Sequence, residues 1–181
     1  LHYIQTFENG LTKINPPTIS DIQKTTKPFT KITFTPSYKS EFSLDIEKFY
    51  KTLYKLIEAR CWQAASYTKA SISFGNGTDF YQIPIKSFNE FCQMYTENFV
   101  EMFKAEAKYP WDIGFAVSEG SAKNISIVNG VFIPRGGTHI QHIEKKLIEN
   151  LKPYVEKGIK KSKQKFNKNY VLNNVIIFMK G

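Results

Sequence analysis

Cysteine is scarce in this sequence: Cys61 and Cys92 are the only two. They lack metal-ligand spacing and cannot make a disulfide framework. Both fall in helical patterns among apolar neighbours, so they read as small buried side chains of a reducing, intracellular compartment. No apolar run reaches the roughly 18 residues of a membrane span, and no signal peptide is expected. Glycine (10) and proline (8) are not enriched in the 181 residues, which argues against general disorder. Acids are outnumbered, 16 against 25 lysines and arginines. Nor is there a Ser/His/Asp arrangement, a pair of buried carboxylates or a Walker-type loop. Gly75-Asn76-Gly77 is too short to cradle a phosphate and suits a hairpin turn.

What is present is a lysine-rich, aromatic chain, with 15 Phe, 10 Tyr and a net charge of +9. A basic surplus suits a polyanion, nucleic acid being the commonest, although a soluble lysine-rich protein has the same composition. The length fits one domain, or one domain with a piece of a neighbour. The chain begins at Leu1 rather than Met, as expected of a segment of something longer.

Residues 1–43 read as short extended pieces broken by turn residues such as Pro16-Pro17. Phe29 to Thr35 alternates apolar with polar and predicts a half-buried strand closed by Pro36-Ser37. This stretch has too little apolar surface to fold as a domain, and it is expected to lack a partner sheet. From Leu44 the period becomes helical, with Ile46, Phe49, Tyr50, Leu53, Leu56 and Ile57 on one stripe and Ser43 placed to cap it. Ala70 to Phe74 and Phe80 to Ile85, around Gly75-Asn76-Gly77, predict a hairpin. Ser87 and Glu90 form a capping box for a helix carrying Phe88, Phe91, Tyr95 and Phe99.

Trp111 to Val117 alternates as a strand. Ile125, Ile127 and Val131-Phe132-Ile133 predict one or two more. Thr138 and Gln141 form a second capping box at a helix opened by Gly136-Gly137. That helix shows Ile140, Ile143, Leu147, Leu151 and Tyr154 on one face, and Pro153 and Gly158 are expected to end or kink it. Val175 to Met179 is a buried strand. The order predicts an α/β (α+β) fold, a single mixed sheet covered by helices.

Several segments now show a resemblance. Ile125-Ser126-Ile127-Val128-Asn129-Gly130-Val131, then Pro134-Arg135-Gly136-Gly137-Thr138-His139, resembles the signature of the transducer domain in type II, ATP-hydrolysing DNA topoisomerases. Gly-Gly-Thr-His is similar to the bacterial gyrase-like version. Residues 29–38 and 83–95 are more similar to the eukaryotic and large-virus enzymes. Tyr3 to Phe7 followed by Asn9 resembles a stretch of their ATPase domain. Four matches in the family's order cover nearly the whole chain.

The resemblance implies that residues 1–43 are the C-terminal portion of the GHKL ATPase domain. Residues 44–181 would be the transducer, with a ribosomal-protein-like fold, cut before the family's Gln-Thr-Lys loop. It implies a homodimer that couples ATP binding and hydrolysis to double-strand cleavage and strand passage, acting on double-stranded DNA through its own ATPase domain and cleavage core. It further implies ATP and Mg2+ in the full-length enzyme, none held by this segment, no catalytic residue here, and a nuclear, cytoplasmic or viral setting. A middle domain of another GHKL ATPase, of mismatch-repair or chaperone type, and a stand-alone basic nucleic-acid-binding module remain alternatives.

Two features could carry chemistry. Gly136, Gly137, Thr138 and His139 place free backbone amides at a helix start, which can hold an anion. The plainer reading, a strand-to-helix turn that needs glycine and lies next to the nucleotide domain, is preferred. His139 and His142 are three apart but have no further ligand at matching spacing, so no metal site is expected. Lys157, Lys160, Lys161, Lys163, Lys165 and Lys168 form an acid-free run, read as a loop or frayed helix. Such runs are usually solvated tips. The resemblance instead places this one where eukaryotic relatives carry a lysine-rich loop facing DNA, so Lys157, Lys160, Lys161, Lys163 and Lys165 are the expected DNA contacts. The family's lysines form a compact triplet, whereas these are spread out.

Overall fold

The computed structural model describes residues 1–23, 27–36, 45–105, 111–160 and 165–181. The chain divides into two compact units, Leu1–Phe42 and Ser43–Gly181.

In the first unit β1 (His2–Ile4) pairs antiparallel with β4 (Thr18–Ser20), and β2 (Phe7–Glu8) with β3 (Lys13–Ile14). The strands therefore find partners within the unit. Asn9, Gly10 and Leu11 all adopt positive φ at the tip. Across the break between the two ladders Gln5 Nε2 donates to the Asn15 carbonyl at 3.1 Å and Asn15 N to the Thr6 carbonyl at 3.0 Å. The strand predicted over Phe29–Thr35 does not form, and residues 27–36 carry no strand. Ile32 is 83% and Phe34 70% exposed. Alternation alone does not make a strand when no neighbouring edge among the described residues takes up its backbone groups.

The second unit opens with α1 (Ile46–Tyr67). Its cap is Asp45, whose Oδ1 accepts from Lys48 N at 2.7 Å, and not the expected Ser43, which lies outside the described residues. Only Ala65 and Ser66, near its C-terminal end, are fully buried. There Ala65 packs with Phe74 and Ile83 of the predicted hairpin, β5 (Ser73–Gly75) against β6 (Phe80–Gln82). Ser87 caps α2 (Phe88–Gln93) as expected: its Oγ accepts from Glu90 N at 3.2 Å, while Glu90 Oε2 accepts from Lys86 N at 2.6 Å.

α2 is shorter than its apolar spacing suggests. Tyr95 and Phe99 lie beyond it, and the chain turns into a strand not foreseen, β7 (Glu101–Lys104). Asn98 Nδ2 donates to the Val117 carbonyl and Val100 is drawn into the core, so tertiary ties win over helical period. Tyr95 still rests on Phe91, with ring centroids 5.3 Å apart.

The main sheet has five strands in the order β10-β9-β11-β8-β7, where β8 is Asp112–Val117, β9 Lys123–Val128, β10 Val131–Phe132 and β11 Val175–Lys180. β11 runs parallel to β9 and antiparallel to β8. The parallel pair requires a crossover, supplied by α3 (Thr138–Ile159) and a short helix that the sequence reading missed, α4 (Lys168–Asn173).

Successive side chains of a strand point to opposite faces, and both faces of this sheet are apolar. Ile176 and Phe178 of β11, with Ile125, Ile127 and Ala116, pack under Phe88, Phe91 and Cys92 of α2. Ile177 and Met179, with Ile113, Phe115 and Val128, pack under Ile140 and Ile143 of α3. Gly114 is required by close approach: a Cβ there would stand 2.8 Å from Met102 Sδ and 3.0 Å from Val100 Cγ1. Cys92 is fully buried and Cys61 partly so; both are free, and burial pushes the Cys92 thiol up to about 12. No helix among the described residues is long and apolar enough to cross a membrane.

Candidate functional site

The strand-to-helix turn is built from β9 outward. Asn129 and Gly130, with φ of 50° and 75°, turn β9 back into β10. The chain then reaches Gly136, at φ 66°, before entering α3. A Cβ at Gly136 would come within 3.0 Å of Asn124 Oδ1, so glycine serves both the left-handed backbone and the close approach. Gly137, not Thr138, is the N-cap, and no side chain caps this end. The expected Thr138–Gln141 box is absent because Thr138 is already helical; Gln141 N bonds the Gly137 carbonyl at 3.1 Å instead.

His139 is held from below. Ser126, with no exposed surface, donates from Oγ to the Ile133 carbonyl at 3.2 Å and lies 3.1 Å from His139 Nε2. Which of the two donates to the other follows the imidazole tautomer. His139 therefore latches the first turn of α3 to the underside of the sheet. Asn124 Oδ1, the buried atom facing Gly136, has no hydrogen-bond partner. It is an acceptor, which suits an anion poorly. His142 is exposed, and among the described residues no group of three or more His, Cys, Asp or Glu could hold a metal ion.

Of the lysine run, Lys157, Lys160, Lys165 and Lys168 lie among the described residues. α3 continues past Pro153 and ends at Ile159, one residue beyond Gly158, so the helix does not end at Pro153 but does end beside Gly158. Pro153 is exposed and the stripe of Leu147, Leu151, Val155 and Ile159 stays half-buried, so packing carries the helix past the missing donor. Tyr154, expected on that stripe, is 76% exposed. Lys157 thus sits in the last helical turn, where its charge complements the dipole, and Lys160 is the C-cap. Lys161 and Lys163 lie outside the described residues. Lys165 is exposed just before α4, and Lys168 is the first residue of α4, which Asn167 caps by accepting from Asn169 N at 2.9 Å.

Linear reading missed what lies between the two helices. Two adjoining hollows share Lys152, Lys165 and Phe166; Lys168 lines one, and Glu156 and Lys160 the other. Lys152 Nζ stands 5.9 Å from the Phe166 ring centroid and 3.8 Å from Glu156 Oε1. A faint signal existed: Phe166 is the one aromatic inside the lysine run.

A sequence model of the DNA gyrase B family matches residues 85–180, which takes in α2, the five-stranded sheet, the turn and the lysine run. The chain belongs to that family. This gyrase B family member is 27% identical over 98% of its length to DNA topoisomerase 2 of Penicillium chrysogenum, of which it covers 11%. Its fold is similar to the ATPase region of Saccharomyces cerevisiae topoisomerase II, with a TM-score of 0.61 and 22% identity, covering 98% of this chain and 44% of that one. It is similar also to the ATPase and transducer domains of DNA topoisomerase II from Balamuthia mandrillaris, with a TM-score of 0.64 and 16% identity over the same shares, 98% and 44%. The gyrase B family member thus spans about a tenth of the length of the curated relative.

Proposed function

We propose that this chain is part of an ATP-dependent type II DNA topoisomerase. Residues 1–43 are the closing portion of its GHKL ATPase domain and residues 44–181 its transducer. The observation that supports this reading most is the match of 98% of the chain to a solved ATPase-plus-transducer pair. In the whole enzyme, a homodimer, ATP and Mg2+ bind to residues outside this segment. The described residues offer no three-ligand metal group, and the polar atom facing the Gly136 turn is an acceptor.

The transducer's part is mechanical and electrostatic. The sheet and α3, latched by His139 to Ser126, form one packed body that ends in the lysine run. Lys157, Lys160, Lys161, Lys163 and Lys165 meet phosphates of the duplex that is cleaved, releasing counterions and positioning the DNA without reading its sequence. Gly136 to His139 is the turn beside the nucleotide domain, through which a change there reaches α3.

The test uses the whole protein that carries this chain. With ATP it relaxes supercoiled plasmid, and without ATP it does not. Replacing Lys160, Lys161 and Lys163 together by glutamine lowers the relaxation rate and the stimulation of ATPase by DNA, while basal ATP hydrolysis survives. Relaxation equal to the unmodified protein across a salt titration would remove the DNA-contact assignment.

A further inference from the structure

Three asparagines precede a glycine in this chain, at Asn9-Gly10, Asn76-Gly77 and Asn129-Gly130. All six residues are exposed, and each pair lies in a loop joining two paired strands. An asparagine before glycine carries its own electrophile, the side-chain amide carbon, and its own nucleophile, the next backbone nitrogen. Glycine adds no side chain to block their approach. The backbone at the asparagine then decides whether the two can meet.

At Asn9 and Asn129 they cannot. Both adopt a φ of 50° and are followed by glycines at 61° and 75°. This is the left-handed region, where ψ is about +47°. There the following nitrogen lies almost opposite Cβ across the Cα–C bond and faces away from the amide carbon. For attack the turn must first come apart. The Asn9 carbonyl accepts from Thr12 N at 3.3 Å and from Thr12 Oγ1 at 2.8 Å. Asn129 N donates to the Gly181 carbonyl at 2.7 Å, which ties its turn to the residue after β11.

Asn76 differs. Its φ is not positive, and the left-handed step falls on Gly77 instead, at 88°. The Gly77 amide has no hydrogen-bond partner among the described residues, and nothing lies within 4 Å of where a Cβ would stand. Asn76 N donates to the Asp79 carbonyl and Thr78 N to the Asn76 carbonyl, both at 3.2 Å. That is the outer limit of an ordinary N–H···O bond.

We infer that Asn76 is a site of spontaneous deamidation, a modification the native fold permits here and withholds at Asn9 and Asn129. Gly77 N attacks Asn76 Cγ and the new N–Cγ bond forms. The Cγ–Nδ2 bond breaks, and Nδ2 leaves as ammonia with the Gly77 amide proton. Solvent water then opens the succinimide at either carbonyl, giving aspartate or isoaspartate. Both products bring a new carboxylate into the loop of Asp79. Isoaspartate also lengthens the main chain by one carbon, where a Cβ at Gly75 would already stand 2.1 Å from the Asp79 carbonyl oxygen. This chemistry does not depend on what the whole protein does.

The whole protein that carries this chain is incubated in warm neutral buffer, with and without guanidinium chloride, and its peptides are followed by mass spectrometry. Electron-transfer fragmentation separates aspartate from isoaspartate. In the native protein Asn76 converts, while Asn9 and Asn129 lag by about tenfold or more, the factor for giving up one hydrogen bond of the turn. In denaturant the three rates converge, because the fold no longer distinguishes them. Asn76→Gln, whose longer side chain closes a ring far more slowly, loses the conversion at this position and leaves the other two unchanged. Equal native rates at the three pairs would overturn the assignment. So would a native Asn76 that stays intact over the time in which denaturant converts all three.

Discussion

His139 Nε2 lies 3.1 Å from the Oγ of Ser126, a side chain with no exposed surface on the central part of β9. One hydroxyl thus serves two elements, the loop carbonyl of Ile133 and the first turn of α3. Ser126→Ala removes the partner of His139 Nε2 and leaves the Ile133 carbonyl with Gly136 N alone, and should cost about 1–3 kcal/mol. His139→Ala costs less on its own, and the double variant should fall short of the sum by at least about 0.5 kcal/mol. Urea unfolding of the three variants measures this. Strict additivity would mean the latch does not exist.

Two glycines should respond in opposite directions. Gly114→Ala drives a methyl into Met102 and Val100 and should destabilise by about 1–3 kcal/mol. Gly158→Ala, near the end of α3 with nothing within 4 Å, should stabilise by about 0.5–1 kcal/mol. Thermal melts of the two variants decide it, and a stabilised Gly114→Ala would contradict the packing described for β8.

Pro153 lies inside α3 on its exposed side, where it removes the amide that would bond the Glu149 carbonyl. Pro153→Ala restores that donor but loosens the unfolded chain, so the net gain should be about 2 kcal/mol. A loss of stability on the same substitution would indicate that α3 bends there for a packing reason.

The Cys92 thiol is raised from 9.0 to about 12, chiefly by burial. A folded-state value above the unfolded one favours the protonated, folded form. Its contribution is therefore complete below pH 9.0 and fades as pH climbs toward about 12. Cys92→Ala should flatten the alkaline fall in stability measured by denaturant titration. In the native chain iodoacetamide should modify Cys61, which is only partly buried, well before Cys92. Equal labelling rates would contradict the burial of Cys92 under α2.

Much of the sheet was legible because its strands carry local signals. Val175 to Met179 and the alternation around Ile113 and Phe115 each declare themselves within a few residues, as does the separate hairpin at Gly75-Asn76-Gly77. The Ser87 cap was legible for the same reason. Where the reading failed, distant partners had decided the outcome. Residues 29–35 alternate correctly but find no edge among the described residues, while Glu101–Lys104 became a strand because β8 offered one. Pro153 was read by local rule as an end or kink, yet the half-buried stripe from Leu147 to Ile159 carried the helix past it to an end beside Gly158. The turn at Gly136 was found from glycine spacing and family signature together. The hollows beside Lys152 were not, since Lys152 and Phe166 are fourteen positions apart and meet only once α3 and α4 have packed.

The strand at the middle of the sheet, β11, is also the last of the five in chain order. During synthesis, β7 with β8 and β9 with β10 can pair early as separate ribbons, each leaving one bare edge. Those edges stay open until residues 175–180 emerge and slide between them, closing both at once. A nascent chain stalled just short of this point would hold two unsatisfied strand margins and two uncovered apolar faces. It should then depend on a holdase, and single-residue truncations from the C-terminal side of β11 should shift the protein abruptly from folded to aggregating.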